Sequence, residues 1–309
     1  MNIFIKICNK ITMVLSEYFL KSNFALSKVI GLYLSLKINL YVDKSFIDFL
    51  KIKSLLKGSK RTVLTGTGVL IIYFNDFIIK YPLGCHSRNA LNKEYQNYII
   101  LKENHQLSSL VNYYLKQQDN YYIMEKLFNV DNLMLDYKYV YTHLSKITST
   151  PITMFEVLEK KIFQQAFKLI STSTEVLETF LEEREKILII SMHGDLTQYN
   201  IMKNKNNEVS LIDLDRFTMN GFLYLDRIHF TVEYYAKKKN SNYFLIIQNF
   251  LLKKNISYES LFYLLIYFLY RIGIENDERV ILPRIYYEEI NRTIFQFIKV
   301  IEKGKKYEI

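Results

Sequence analysis

The chain has 309 residues, half of them hydrophobic and 15% aromatic, with 41 basic against 31 acidic side chains for a net charge of +10. That apolar content excludes wholesale disorder and suits one large domain or two modest ones. Two cysteines, Cys8 and Cys85, exclude a disulfide framework and a thiolate metal site, and fit a reducing, cytoplasmic environment.

The opening MNIFIKICNK has neither a long apolar run nor a small-residue cleavage site, so no secretory signal is read there. Residues 1–58 read as a helical extension, with Leu26, Val29, Ile30 and Tyr33 at near-helical spacing. Lys6, Lys10, Lys21, Lys28 and Lys37 lie among its apolar residues. Two readings stay open for it: a face docked on the main body, or a peripheral contact with the inner face of a membrane.

After the basic stretch Lys57–Arg61 the pattern changes to strands. RTVL leads into a turn, Thr65-Gly66-Thr67-Gly68, and then VLIIYF (69–74) and FIIKYPL (77–83) flank Asn75-Asp76 as a hairpin. Ser87 is placed to cap a helix through Leu91, Glu94, Tyr98 and Leu101. Asp119-Asn120 makes another turn before the short strand Tyr121–Met124.

Beyond residue 125 helices dominate. Pro151 is expected to open one, running to Phe163, and Thr174 to cap the next. Ile187–Met192 reads as a strand. The most hydrophobic window, LFYLLIYFLY (261–270), is about half the ~20 residues of a membrane span and is expected to be a buried helix. Zinc-finger spacing, an aromatic RNP segment and a dense arginine stripe are all missing, so no nucleic-acid partner is expected. His86, His105, His143 and His229 show no zinc-like spacing.

The chemistry concentrates in HGDLTQYNIMKNKNNEVSLIDLDRFTMNGFLYLD, residues 193–226. A strand ends at a loop bearing His193, Gly194 and Asp195, with Asn200 five residues after the aspartate. The strand VSLI then delivers Asp213, followed two residues on by Asp215. A hairpin would bring Asn200 and Asp213 together as hard oxygen ligands for Mg²⁺, while Asp195 faces an acceptor hydroxyl. Phosphoryl transfer needs these parts, because its catalysis is mostly positioning and charge neutralisation.

HGDLxxxN followed by IDxD resembles the aminoglycoside phosphotransferase and choline kinase-like family of the protein-kinase-like fold. GFLYLDRIHF (221–230) resembles small-molecule kinases of bacterial surface-polysaccharide and lipopolysaccharide clusters. The resemblance implies an α+β fold with a small β-rich N-lobe (59–125) and a larger, mostly helical C-lobe (126–309). It also implies ATP and Mg²⁺ as cofactors.

Carried over by motif, Asp195 is the residue that receives the acceptor's proton, and Asn200 and Asp213 are the Mg²⁺ ligands. His193 braces the loop and Asp226 accepts hydrogen bonds from its N–H groups. Asp215 either approaches the metals or binds a neighbour. Upstream, Lys80 on the third strand and Glu94 on the next helix fit a pair that meets the nucleotide phosphates. Met124, Glu125 and Leu127 stand where the family binds adenine, and Gly66 and Gly68 where backbone covers the phosphates.

The short stretch after IDLDR leaves no room for a long activation segment, which favours a small-molecule acceptor over a protein. The expected activity is transfer of the γ-phosphoryl of ATP to a hydroxyl of a sugar or glycan-related molecule. Rival readings are an aminoglycoside, choline or ethanolamine kinase, for which Glu275, Asp277, Glu278, Glu288 and Glu289 offer acidic residues, and a nucleotide-binding pseudokinase or scaffold. Oligomeric state is not legible.

Overall fold

The computed structural model describes residues 52–65, 68–118, 121–172, 174–253, 256–278 and 284–305. The expectations for residues 1–51, for Gly66 and for the Asp119-Asn120 turn lie outside the described residues. Two compact units emerge, one reaching Asp131 and including Met202–Arg216, the other formed by Asn132–Ile201 and the chain from Phe217 on. The sequence division keeps Met202–Arg216 with the C-terminal part. In the structure that segment belongs to the first unit, because its strands Ile201–Lys203 and Val209–Leu211 join Phe128–Asn129 in one small sheet.

The first unit is built on an antiparallel sheet of β1 (Arg61–Leu64), β2 (Val69–Tyr73), β3 (Phe77–Pro82), β4 (Leu115–Gln117) and β5 (Tyr122–Glu125), in the order β1-β2-β3-β5-β4. β2 and β3 are rich in β-branched and aromatic residues, and the Phe74 N–H closes their hairpin on Phe77 O at 2.9 Å. Leu70, Ile72, Ile79 and Leu83 pack with Ile52 and Leu56 into this unit's core.

Between β3 and β4 runs α1 (Cys85–Glu103), which buries Ser87, Leu91, Glu94, Tyr98 and Leu101 along one face at helical spacing. Ser87 is not the cap expected of it. It lies inside the first turn, where its hydroxyl accepts the Gly84 N–H and donates to Gly84 O, both at 3.0 Å.

In the second unit a three-stranded sheet, β6 (Thr148–Thr153), β7 (Lys186–Met192) and β8 (Thr218–Phe222), is ordered β8-β7-β6. Pro151 opens no helix, since it sits in the edge strand β6 where the register against β7 shifts between Ser149 and Ile152. An edge irregularity is where a sheet tolerates a residue without an N–H. One helix, α2 (Leu133–Lys146), precedes β6; after it Thr153 caps α3 (Met154–Leu158), and α4 (Lys161–Phe167) follows as a separate helix. Thr174 precedes α5 (Glu175–Glu182), but its hydroxyl donates to Glu178 and caps no N–H.

The remaining helices are α6 (Leu225–Lys238), α7 (Tyr243–Leu251), α8 (Tyr258–Glu278) and α9 (Arg284–Lys305). α8 is buried on every side from Leu261 to Leu269, as a helix apolar all round must be. No described helix is long and apolar enough to cross a membrane. Gly273 lets α8 and α4 meet backbone to backbone, because a Cβ there would come 2.0 Å from Ile162 O. The class is therefore α+β, β-rich in its N-terminal part and helical in its C-terminal part.

Candidate active site

In the first unit the site begins with a charge conflict. Lys80 on β3 and Glu94 on α1 both fall on buried faces, 4% exposed each. Neither ion is tolerable there alone, and burying them together is tolerable only when they are paired with good geometry. Lys80 Nζ donates to both carboxylate oxygens of Glu94, at 2.7 and 2.9 Å, and to Asp213 Oδ1 at 2.9 Å. All three ammonium protons are thus directed at carboxylates. Burial works against the lysine's charge, but Asp213 and Glu94 outweigh it and hold its pKa above the usual range.

Asp213 is the exposed member, with 54% of its side chain accessible. Its backbone is left-handed, φ +56°, a conformation that aspartate tolerates better than most residues. The next residue is fixed to α1 by Asn97 Nδ2, which donates to Leu214 O at 2.6 Å. Asp215 lies in the short helical turn Leu214–Arg216, where its charge reaches Glu94.

The strand end expected to meet adenine is partly committed. Met124 is buried in β5, the Glu125 N–H donates to Tyr114 O at 2.9 Å, and the Lys126 N–H donates to Asp76 O at 3.0 Å. Glu125 therefore has no backbone donor to offer a base. Leu127 follows, beyond the end of β5. Gly68 takes φ +81° and its N–H closes the turn on Thr65 O at 3.1 Å.

In the second unit the loop after β7 is held from beneath. The N–H groups of His193 and Gly194 donate to the two carboxylate oxygens of buried Asp226, at 2.6 and 3.0 Å. Gly194, at φ +82°, supplies the left-handed turn between His193 and Asp195. Burial pushes the Asp226 pKa up, against the pull of His193 and of those two N–H groups. His193 is fully buried and its Nδ1 accepts the Asp195 N–H at 3.3 Å. Asn200 is buried as well, and its Nδ2 donates to Asp195 O at 2.8 Å, which orients the amide so that Oδ1 is the atom suited to a cation.

The Asp195 side chain, one-third exposed, meets two groups that no motif announces. Arg271 Nη1 of α8 donates to Oδ1 at 3.1 Å, and His229 Nε2 of α6 lies 3.0 Å from the same oxygen. His229 Nδ1 in turn meets the Tyr267 hydroxyl at 3.0 Å. Arg271 Nε donates to Glu275 Oε1 at 3.0 Å, the Tyr286 hydroxyl donates to Glu275 Oε2, and the Tyr243 and Tyr286 hydroxyls lie 2.8 Å apart. Burial, then Glu275, pushes both phenols up, so they act as neutral hydroxyls.

Their sequence signals are visible in hindsight. Arg271 and Glu275 are an i,i+4 pair closing the apolar window, and His229 stands one turn after Asp226 on the same face of α6.

Among the described residues no group of three His, Cys, Asp or Glu side chains could hold a metal by itself. An amide oxygen and one or two carboxylates fit Mg²⁺, which keeps waters and takes phosphate oxygens, better than they fit a zinc or calcium cage. A 690 Å³ cavity among α6, α7 and α8 is lined by Arg227, Ile228 and Thr231. Those residues are on the opposite face of α6 from Asp226 and His229, which with Gly194 and Arg271 line a separate, much smaller cavity.

No family model matches the chain, and neither does any curated protein sequence. Solved structures do resemble it. Choline kinase LicA from Streptococcus pneumoniae is 16% identical, with 82% of this chain and 98% of that one covered and a TM-score of 0.44. The ADP-bound aminoglycoside phosphotransferase APH(2'')-Ib is 12% identical, with the same coverage and a TM-score of 0.46. A choline/ethanolamine kinase family protein from Mesorhizobium loti is 11% identical over 81% and 95%, at 0.42. At such identities and scores no function transfers by similarity alone.

Proposed function

We propose that the chain is a Mg²⁺-dependent phosphotransferase that moves the γ-phosphoryl of ATP to a hydroxyl of a small molecule. The observations that support it most are the pairing of Lys80 with Glu94 and Asp213 in the first unit and, within the second, a carboxylate, Asp195, oriented by a braced loop and by Arg271. In this reading Lys80 exchanges Asp213 for the α- and β-phosphates, and Asp213 and Asn200 are the residues that would hold Mg²⁺. The ion would neutralise phosphate charge. The Leu127 N–H serves the base.

Asp195 takes the proton of the acceptor hydroxyl as that oxygen bonds to the γ-phosphorus. The bond from phosphorus to the β–γ bridging oxygen breaks, and ADP leaves with that electron pair. The acceptor we favour is a sugar or glycan-related molecule of surface-polysaccharide or lipopolysaccharide assembly, on the resemblance of GFLYLDRIHF and the +10 balance. The test is ADP formation by the intact chain with ATP, Mg²⁺ and a panel of sugars, sugar acids, amino alcohols and aminoglycosides. Acceptor-dependent ADP release that EDTA abolishes is expected. ATP binding with no transfer to any acceptor would replace this reading with a scaffold.

A further inference from the structure

Arg271 stands at the end of the stretch of α8 that is buried on every side, with 18% of its side chain accessible. A guanidinium so placed is stable only when its donors find carboxylates, and two of its nitrogens do: Nε on Glu275 and Nη1 on Asp195. Glu275 is itself 5% exposed and fixed by the Tyr286 hydroxyl. The planar fork is therefore held from behind in one orientation. The bonds to the two carboxylates run through Nε and Nη1, and 18% of the side chain remains accessible.

The acidic candidate that sequence offered for a cationic acceptor, Glu275, is thus turned away and neutralised. The charge standing next to Asp195 with donors to offer is positive. A molecule that brings its hydroxyl to Asp195 comes within reach of that guanidinium, which favours an oxyanion and disfavours an ammonium.

We propose that Arg271 selects the acceptor: its guanidinium, held against Asp195, binds an oxyanion on the molecule whose hydroxyl meets that carboxylate, so the preferred acceptor is an anionic polyol. This rests on the phosphotransferase reading above. Carboxylate and phosphate share the required chemistry, and a cationic amino alcohol or aminosugar lacks it.

The experiment uses the full chain with MgATP and matched series on glucose, galactose and mannose: the neutral sugar, its uronic acid, its 1-phosphate and its 2-amino sugar. The uronic acid and 1-phosphate arms separate the two sources of oxyanion. One anionic arm is expected to exceed the neutral sugar by about 10- to 100-fold in kcat/KM, with the amino sugar last. In Arg271→Gln the KM for the anionic acceptor rises until the preference vanishes while the KM for ATP is unchanged, and Arg271→Lys restores part of it.

A merely structural role would lower kcat for every acceptor alike and leave the ratios intact, which would overturn the proposal. A wild-type preference for amino sugars, or no discrimination, would overturn it without any variant. In both cases transfer itself persists and the broader reading stands. MgATP binding with no transfer to any member of the series would overturn this inference, and only if amino alcohols and aminoglycosides also accept nothing would the phosphotransferase reading go with it.

Discussion

The two clusters of candidate functional residues, one in each unit, are held by opposite means. In the first unit the polar groups sit on elements close in sequence, β3 and α1, and the pair Lys80–Glu94 spans 14 residues. In the second unit the Asp195 carboxylate is fixed by Arg271, 76 residues away on a helix that is core from Leu261 to Leu269. The first cluster is a buried ion pair whose partners compensate one another. The second is a partly exposed carboxylate steered by a cation that must be braced in turn by Glu275 and Tyr286. A buried pair resists change in either member, whereas a steered carboxylate can be retuned from its far end.

Substitutions separate these two designs. The largest effect is expected for Asp195→Asn, which keeps the volume but cannot take a proton. It should lower kcat by about 10²- to 10⁴-fold, measured by ADP release, and it should also lower the melting temperature modestly, because Arg271 loses one of its two carboxylate partners. Next comes Lys80→Met, which strands Glu94 in the core. It should cost about 3–5 kcal/mol in denaturant unfolding, and Lys80→Met with Glu94→Leu should recover most of that stability without recovering activity. Recovery of activity in the double variant would show that the ammonium is not needed for phosphate.

Gly273→Ala should cost about 1–3 kcal/mol, because its Cβ meets Ile162 O and α8 has to shift. Since α8 carries Arg271, the same variant is expected to lower transfer while leaving MgATP affinity in place.

The smallest effect is expected at Thr153, which pairs with Lys186 at the opposite end of β7 from the His193 loop. The Thr153 N–H and hydroxyl hold the Glu156 carboxylate below its usual pKa. A carboxylate whose folded pKa is depressed stabilises the fold above its unfolded pKa and loses that contribution as pH falls through the folded value. Thr153→Ala should therefore lower stability slightly at neutral pH and flatten the acid limb of the stability–pH curve, with activity untouched.

What the sequence made legible follows the same division. Period-2 runs around Asn75-Asp76 and helical spacing from Leu91 to Leu101 place Lys80 and Glu94 on facing buried surfaces, because local periodicity dictates which face each residue takes. Asp226 likewise receives the loop N–H groups that its motif assigns it. Arg271 and His229 were not legible as site residues, because helix packing and not spacing brings them to Asp195. Pro151 misleads for a related reason: a proline at a position that opens a helix is equally at home at an edge-strand irregularity, and only β7 decides. Thr174 has the residue type of a cap, but its hydroxyl turns to Glu178.

The division of labour between the two clusters is tested most directly by titrating MgATP into wild type, Lys80→Met and Asp195→Asn in a calorimeter. Lys80→Met is expected to weaken MgATP at least 10-fold, whereas Asp195→Asn binds it like wild type. Equal affinity in Lys80→Met, or loss of binding in Asp195→Asn with its fold intact, would contradict the assignment of nucleotide to the first unit and acceptor chemistry to the second.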